Sequence, residues 1–121
     1  MSSTGDAVAE SLNPIAQLCD GVPTFREEGG RRLVHMPGLH FLVGGQQRNM
    51  DALLCLNHNN PTYPTKLYLA EQVGAGLNWN ENAFLLGRQW FTFSWRDVSS
   101  DQAIFDILAA HLAPLARGLA A

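Results

Sequence analysis

The stretch Met50 through Leu69, MDALLCLNHNNPTYPTKLYL, constrains the fold more than any other part of the chain. Its opening run, Met50-Asp51-Ala52-Leu53-Leu54-Cys55-Leu56, is too short and too continuously apolar for a surface helix. It breaks off into Asn57-His58-Asn59-Asn60, so it reads as a mostly buried strand ending in a turn. Pro61 and Pro64 have no backbone N–H to give to a ladder, and each biases the residue before it away from helical dihedrals. Asn60 and Tyr63 are therefore expected in turn or extended conformations. Beyond them Lys66-Leu67-Tyr68-Leu69 alternates, which predicts a strand covered on one face and partly wet on the other.

A chain of 121 residues fits a single domain with an ordered core over about 8–117, large enough to bury about two-thirds of its unfolded surface. No apolar run approaches the roughly 20 residues that span a bilayer, so no membrane partner is expected. The first residues, MSSTGDAVAE, lack the basic start and long apolar core of an export signal, and a cytoplasmic location is the expectation. Eight basic and eleven acidic side chains give a formal charge of -3, and the basic ones are scattered apart from Arg31-Arg32. Nucleic-acid binding draws on clustered positive charge through counterion release, so no nucleic-acid partner is expected either. Cys19 and Cys55 read as free thiols of a reducing compartment.

Apolar groups at Val8, Leu12, Ile15, Ala16 and Cys19 keep helical spacing and predict an N-terminal helix, with Asn13-Pro14 as cap and first turn. Thr24 to Glu28 and Arg31 to Val34 flank Gly29-Gly30 and predict a hairpin. Leu39 to Val43 is a further strand closed by Gly44-Gly45. Met50 then opens the next strand; three strands joined by turns of this length make an antiparallel meander, to which Leu67 to Leu69 adds a fourth. Residues 72–86 show neither alternation nor a helical stripe and read as a partly ordered loop pinned by Trp79 and Phe84. In Gly87 to Trp95 the rings at 91, 93 and 95 share one parity and Trp90 the other, which suits a strand or extended segment closing the sheet. Only Arg88 and Arg96 flank these rings, too few for a base-stacking groove. Ser99 with Gln102 matches a reciprocal helix cap before Ile104, Phe105, Leu108, His111, Leu112 and Leu115; Pro114 lies past the well-defined part of that helix, and Gly118 supplies its stop.

The expected fold class is α+β: an antiparallel four-stranded meander with an N-terminal and a C-terminal helix. This order resembles the ubiquitin-conjugating-enzyme superfamily, including its variants without a catalytic cysteine and the RWD domains. Leu54 and Leu56 match the strand before the turn, Pro61, Tyr63 and Pro64 the Tyr-Pro turn, and Leu67 and Leu69 the strand beyond. One spacing departs from the family pattern, since Thr62 alone separates Pro61 from Tyr63. Gly87-Arg88-Gln89-Trp90 is similar to a motif in a divergent bacterial branch encoded with ubiquitin-like modifiers. Catalytic members carry the modifier on a cysteine in the excursion after the fourth strand, beside an asparagine that stabilises the oxyanion. This chain has no cysteine after Cys55, although Asn78, Asn80 and Asn82 fall in that region.

The resemblance therefore implies a noncatalytic adaptor that binds a ubiquitin-like protein or another conjugation-pathway protein, as part of a hetero-oligomer. Interfaces favour aromatic residues and arginine, so Tyr63, Tyr68, Trp79, Arg88, Trp90 and Trp95 are the contact candidates. Two alternatives stay open: a divergent conjugating enzyme using Cys55, which lies in an apolar strand, and a partner or immunity protein of an unrelated complex. His35, His40, His58 and His111 with Cys19 and Cys55 contain zinc-ligand types but no compact pair of ligand spacings, so no metal or other cofactor is expected. His58, Asp51 and Ser94 carry the residue types of a hydrolytic triad, without a nucleophile-elbow pattern to place the serine.

Overall fold

The computed structural model describes residues 11–58, 60–79 and 81–117. Helix α1 (residues 11–16) precedes strands β1 (Thr24–Glu28), β2 (Arg31–Val43), β3 (Gln46–Cys55), β4 (Lys66–Leu69), β5 (Glu81–Leu85) and β6 (Arg88–Thr92), and helix α2 (Ile104–Arg117) follows them. All neighbours pair antiparallel in one sheet of order β1-β2-β3-β4-β6-β5. The expected meander is present as β1 to β4, but the sheet has six strands rather than four. Among the described residues, no helix is long and apolar enough to cross a membrane.

Strand β2 joins the two runs that the sequence reading separates. Pro37 and Gly38 sit where the register slips between Met36 and Leu39, forming a bulge in which proline's missing donor breaks no ladder bond. Asp51 Oδ1 on β3 accepts from Gly38 N at 2.8 Å and holds the bulge. The outer edge of β2 here is covered by the connector after α1: Asp20 N donates to Gly38 O at 3.0 Å and His40 N to Leu18 O at 2.7 Å. Gly38 has φ 63°, and a Cβ there would lie 2.8 Å from Asp20, so only glycine fits.

Register assigns the sheet two apolar faces. Val34, Met36, Phe41, Ala52, Leu54, Leu67 and Leu69 meet Leu12 and Ile15 of α1 and Ile107, Leu108 and Leu115 of α2. The opposite face holds Leu33, Leu53, Cys55 and Tyr68, and its cover is the β5–β6 hairpin, which contributes Leu85 and Trp90. Strand β6 pairs with β4 only through Tyr68↔Thr92 and Leu69↔Phe91, so the rest of the hairpin runs past the end of β4 and curls over this second face. Its tip is clasped there. Trp90 stands edge-on to His35 at 6.3 Å, Arg88 Nη1 lies 2.9 Å from Asp51 Oδ2, and Leu86 N donates to Glu28 Oε1 at 3.1 Å.

The curled hairpin explains two departures from expectation. All four residues of β4 are buried, where alternation predicts one wet face, because the second face has its own roof. Residues 81–85 are a strand where a loop was expected, since only Leu85 of the five is buried and the edge shows no apolar alternation.

Helix α2 also begins later than the Ser99-Gln102 pattern predicts. Ser99 Oγ accepts from Asp101 N at 3.0 Å and Gln102 Nε2 donates to Ser99 O at 2.9 Å, closing a local turn rather than a helix cap. Val98 is buried, with its carbonyl accepting from Thr65 Oγ1 at 2.8 Å, so the chain is anchored before the helix starts. Ile107 rather than Phe105 then faces the core, and Pro114 is inside the helix and buried. Val8, Asn80 and Gly118 lie outside the described residues.

Candidate functional site

Residues 56–65 connect the neighbouring strands β3 and β4, and side-chain amides shape the connector. Asn57 Oδ1 accepts from Arg32 N at 2.7 Å while its Nδ2 donates to Gly30 O at 3.0 Å, tying the end of β3 to the β1–β2 turn. Asn60 Oδ1 accepts from Thr62 N at 2.8 Å and Tyr63 N at 3.1 Å, so a short polar side chain supplies the acceptor for two turn N–H groups and fixes the turn between Pro61 and Pro64. His58 N donates to Pro64 O at 3.0 Å and Asp97 N to Thr62 O at 2.9 Å, so both limbs of the connector are pinned.

This connector and the root of the β5–β6 hairpin enclose a cleft of about 260 Å³ lined by His58, Asn60, Tyr63, Lys66, Glu81 and Ser94. At its floor is Lys66, only 4% exposed, whose Nζ is in a very short contact with Glu81 Oε1 and lies 5.1 Å from the centre of the Tyr63 ring. The ammonium is thus balanced by a carboxylate, as a buried cation must be, and is also faced by a π-cloud. The hydrogen bond from Lys66 holds the Glu81 carboxyl below its ordinary range. Burial, with Lys66 adding to it, pushes the His58 imidazole below its usual value and keeps it neutral at pH 7.

Glu81 itself is exposed at the rim, so removing its charge strands Lys66 in a site only partly screened by water. Glu81→Gln is expected to cost about 1–2 kcal/mol in urea unfolding at neutral pH, with Lys66→Met in the same chain restoring most of the loss. Equal stability of Glu81→Gln and the parent protein would show that the pair does not hold the hairpin root.

Among the described residues the cleft shows no hydrogen-bonded nucleophile–base pair. Ser94 and His58 both line it, but among the described residues no hydrogen bond joins the Ser94 hydroxyl to His58. Asp51, the third member of the conceivable triad, does not line the cleft and is spent on Gly38 and Arg88. Among the described residues no three His, Cys, Asp or Glu side chains gather where they could hold a metal ion.

The sulfurs are withdrawn. Cys55 is 0% exposed beneath the hairpin, its Sγ 3.8 Å from Asn57 Oδ1, and burial raises its thiol pKa despite the opposing pull of Asn57 and Arg31. Cys19 is half-buried, and burial together with Asp20 pushes its thiol up to about 11. Thiolate is the nucleophilic form, so both environments oppose thioester chemistry.

The six contact candidates divide. Tyr63 walls the cleft. Trp79 is half-buried, with its Nε1 donating to Gly74 O at 2.7 Å and its ring 5.1 Å from Phe93, and Trp95 is half-buried under Arg117 at 5.5 Å. Tyr68 and Trp90 are buried in the second face and offer no contact surface. Arg88 is exposed but engaged, paired with Asp51 and lying 4.6 Å over the Trp90 ring. The Gly-Arg-Gln-Trp stretch is therefore a clasp: Gly87 turns the hairpin at φ 81°, Arg88 ties it to β3, and Trp90 fills the space beneath, its Nε1 donating to Leu85 O at 2.9 Å. Lys66 and Glu81 escape the sequence reading because their meeting depends on β5, which no local pattern reveals. Comparison with protein-family models, curated proteins and solved structures finds no match to this chain.

Proposed function

We propose that the protein is a noncatalytic module of the ubiquitin-conjugating-enzyme-like type, and that it binds a ubiquitin-like modifier or another conjugation-pathway protein through the cleft beside its Tyr-Pro turn. The observation that carries this reading is the combination of an aromatic-walled polar cleft at that turn with two thiols outside its lining, Cys55 buried and Cys19 half-buried. The order of helix, three adjacent antiparallel strands, Tyr-Pro connector, fourth strand and, after the β5–β6 hairpin, C-terminal helix supports this family reading. The β5–β6 hairpin is the departure, and it seals Cys55 in.

Tyr63 presents a half-buried ring on a pinned connector, which is the setting of an interface anchor. Titrating the ¹⁵N-labelled protein with a ubiquitin-like modifier from the same genome is expected to move the amide signals of His58, Asn60, Thr62, Tyr63, Thr65 and Lys66 and of residues 94–96. Tyr63→Ala is expected to weaken binding about tenfold, or ~1.4 kcal/mol, with the folded state retained by circular dichroism. Shifts confined to α1, or affinity indifferent to Tyr63, would exclude the cleft; no binding to any modifier or pathway protein would exclude the adaptor reading.

A further inference from the structure

The outer edge of β5 is built to be paired. Its hairpin closes through Leu86 and Gly87, both at positive φ (52° and 81°), so Leu85 and Arg88 exchange backbone bonds across a two-residue turn. Alternation then makes Ala83–Trp90 and Glu81–Thr92 the other bonded pairs, and turns the N–H and C=O groups of Asn82 and Phe84 outward. Among the described residues no strand takes them. Phe84, 71% exposed, stands on the same edge.

The other edge of the sheet behaves differently. Strand β1 carries Arg26, Glu27 and Glu28 in its five residues, the charges by which sheet edges resist pairing, whereas the single charge of β5, Glu81, is neutralised by Lys66. Self-pairing of β1 about its centre would set Arg26 against Arg26. Self-pairing of β5 about Ala83 sets Asn82 against Phe84 and Glu81 against Leu85, with no like charges opposed.

We infer that β5 is a homodimerisation strand, pairing antiparallel with β5 of a second copy about a two-fold axis at Ala83. Asn82 of each copy exchanges both backbone bonds with Phe84 of the other, and each Phe84 ring packs beside the opposing Asn82. Such an interface is isologous and closes on itself, so it yields a dimer and not a filament. One strand pair is small beside a standard interface, which places half-dissociation on the order of 10–100 µM.

Sedimentation equilibrium up to about 1 mM tests this, and a mass rising towards twice the 13.3 kDa of one chain is expected. Phe84→Lys places a charge on the edge and is expected to leave a monomer with an unchanged thermal midpoint. The two-fold axis sets Ala83 against Ala83 in a non-hydrogen-bonded pair with Cα atoms about 4.5 Å apart, within disulfide reach. Ala83→Cys is therefore expected to cross-link under mild oxidation, and Asn82→Cys, which faces Phe84, is not. A monomer throughout, a dimer indifferent to Phe84→Lys, or equal cross-linking from both cysteine variants would overturn the assignment.

Discussion

Trp90→Ala is expected to destabilise the protein by about 3–5 kcal/mol, the range for emptying a large aromatic site. Trp90 is 0% exposed, roofs Leu33, Leu53 and Cys55, and carries the stacked Arg88 guanidinium that pairs with Asp51. Its loss removes apolar cover and loosens the clasp together. The consequence is local before it is global, because β6 is joined to β4 by only two residue pairs. Hydrogen exchange of β5 and β6 should accelerate first, and Cys55, fully buried in the parent protein, should become open to thiol reagents under native conditions. Arg88→Ala is expected to move the same readouts in the same direction by a smaller amount. Unchanged Cys55 labelling in Trp90→Ala would mean that the hairpin is not what covers the second face.

The second large effect is acid lability centred on His111. This residue is 2% exposed on α2, edge-on to Phe93, and within 2.9 Å of Thr65 Oγ1 through Nε2. The Thr65 hydroxyl donates its hydrogen to Val98 O, so it accepts from His111, which fixes the Nε2–H tautomer and leaves Nδ1 without a partner among the described residues. Burial, with Lys66 adding to it, pushes the imidazole down to about 4 from an ordinary 6.5. Above pH 6.5 neither the folded nor the unfolded chain binds the proton, and stability is complete. Between 6.5 and about 4 the unfolded chain binds it and the folded chain does not, so stability falls with pH by about 3 kcal/mol in total. His35 and His58, also lowered chiefly by burial, act in the same direction. The lowered carboxyls of Asp20 and Glu81 act in a more acidic window, as pH falls through their own depressed values. His111→Gln keeps a donor for Thr65 and cannot titrate. Urea unfolding from pH 7.5 to 4.5 is expected to show a much shallower decline in this variant, and an undiminished slope would remove His111 as its cause.

What the sequence reveals depends on how local the determinant is. The hairpin across Gly29-Gly30 and the turn at Asn60 are written in neighbouring residues and are found where the chain predicts them, whereas β3 already begins at Gln46, ahead of the apolar run that Met50 opens. Continuity of β2 through Pro37-Gly38 is not local, since Asp51 on another strand and the connector at Asp20 stabilise the bulge. The second face is the least legible part. Burial of Tyr68 and of Cys55 depends on a hairpin whose own residues at positions 81–84 show no core alternation, and whose docking rests on Arg88 finding Asp51 across the sheet. The cleft is half legible for the same reason. Tyr63 follows from the turn, while the Lys66–Glu81 pair that forms its floor follows from the hairpin's position.

On the proposed reading the protein engages a modifier without carrying it, since Cys55 is buried and Cys19 is half-buried with its thiol pKa raised. Incubating the purified protein with a ubiquitin-like modifier, its activating enzyme and ATP, then separating the products with and without reductant, tests this directly. The account predicts a reversible complex and no reductant-sensitive adduct on Cys55 or Cys19. An adduct that reductant releases, and that disappears in Cys55→Ser, would contradict it.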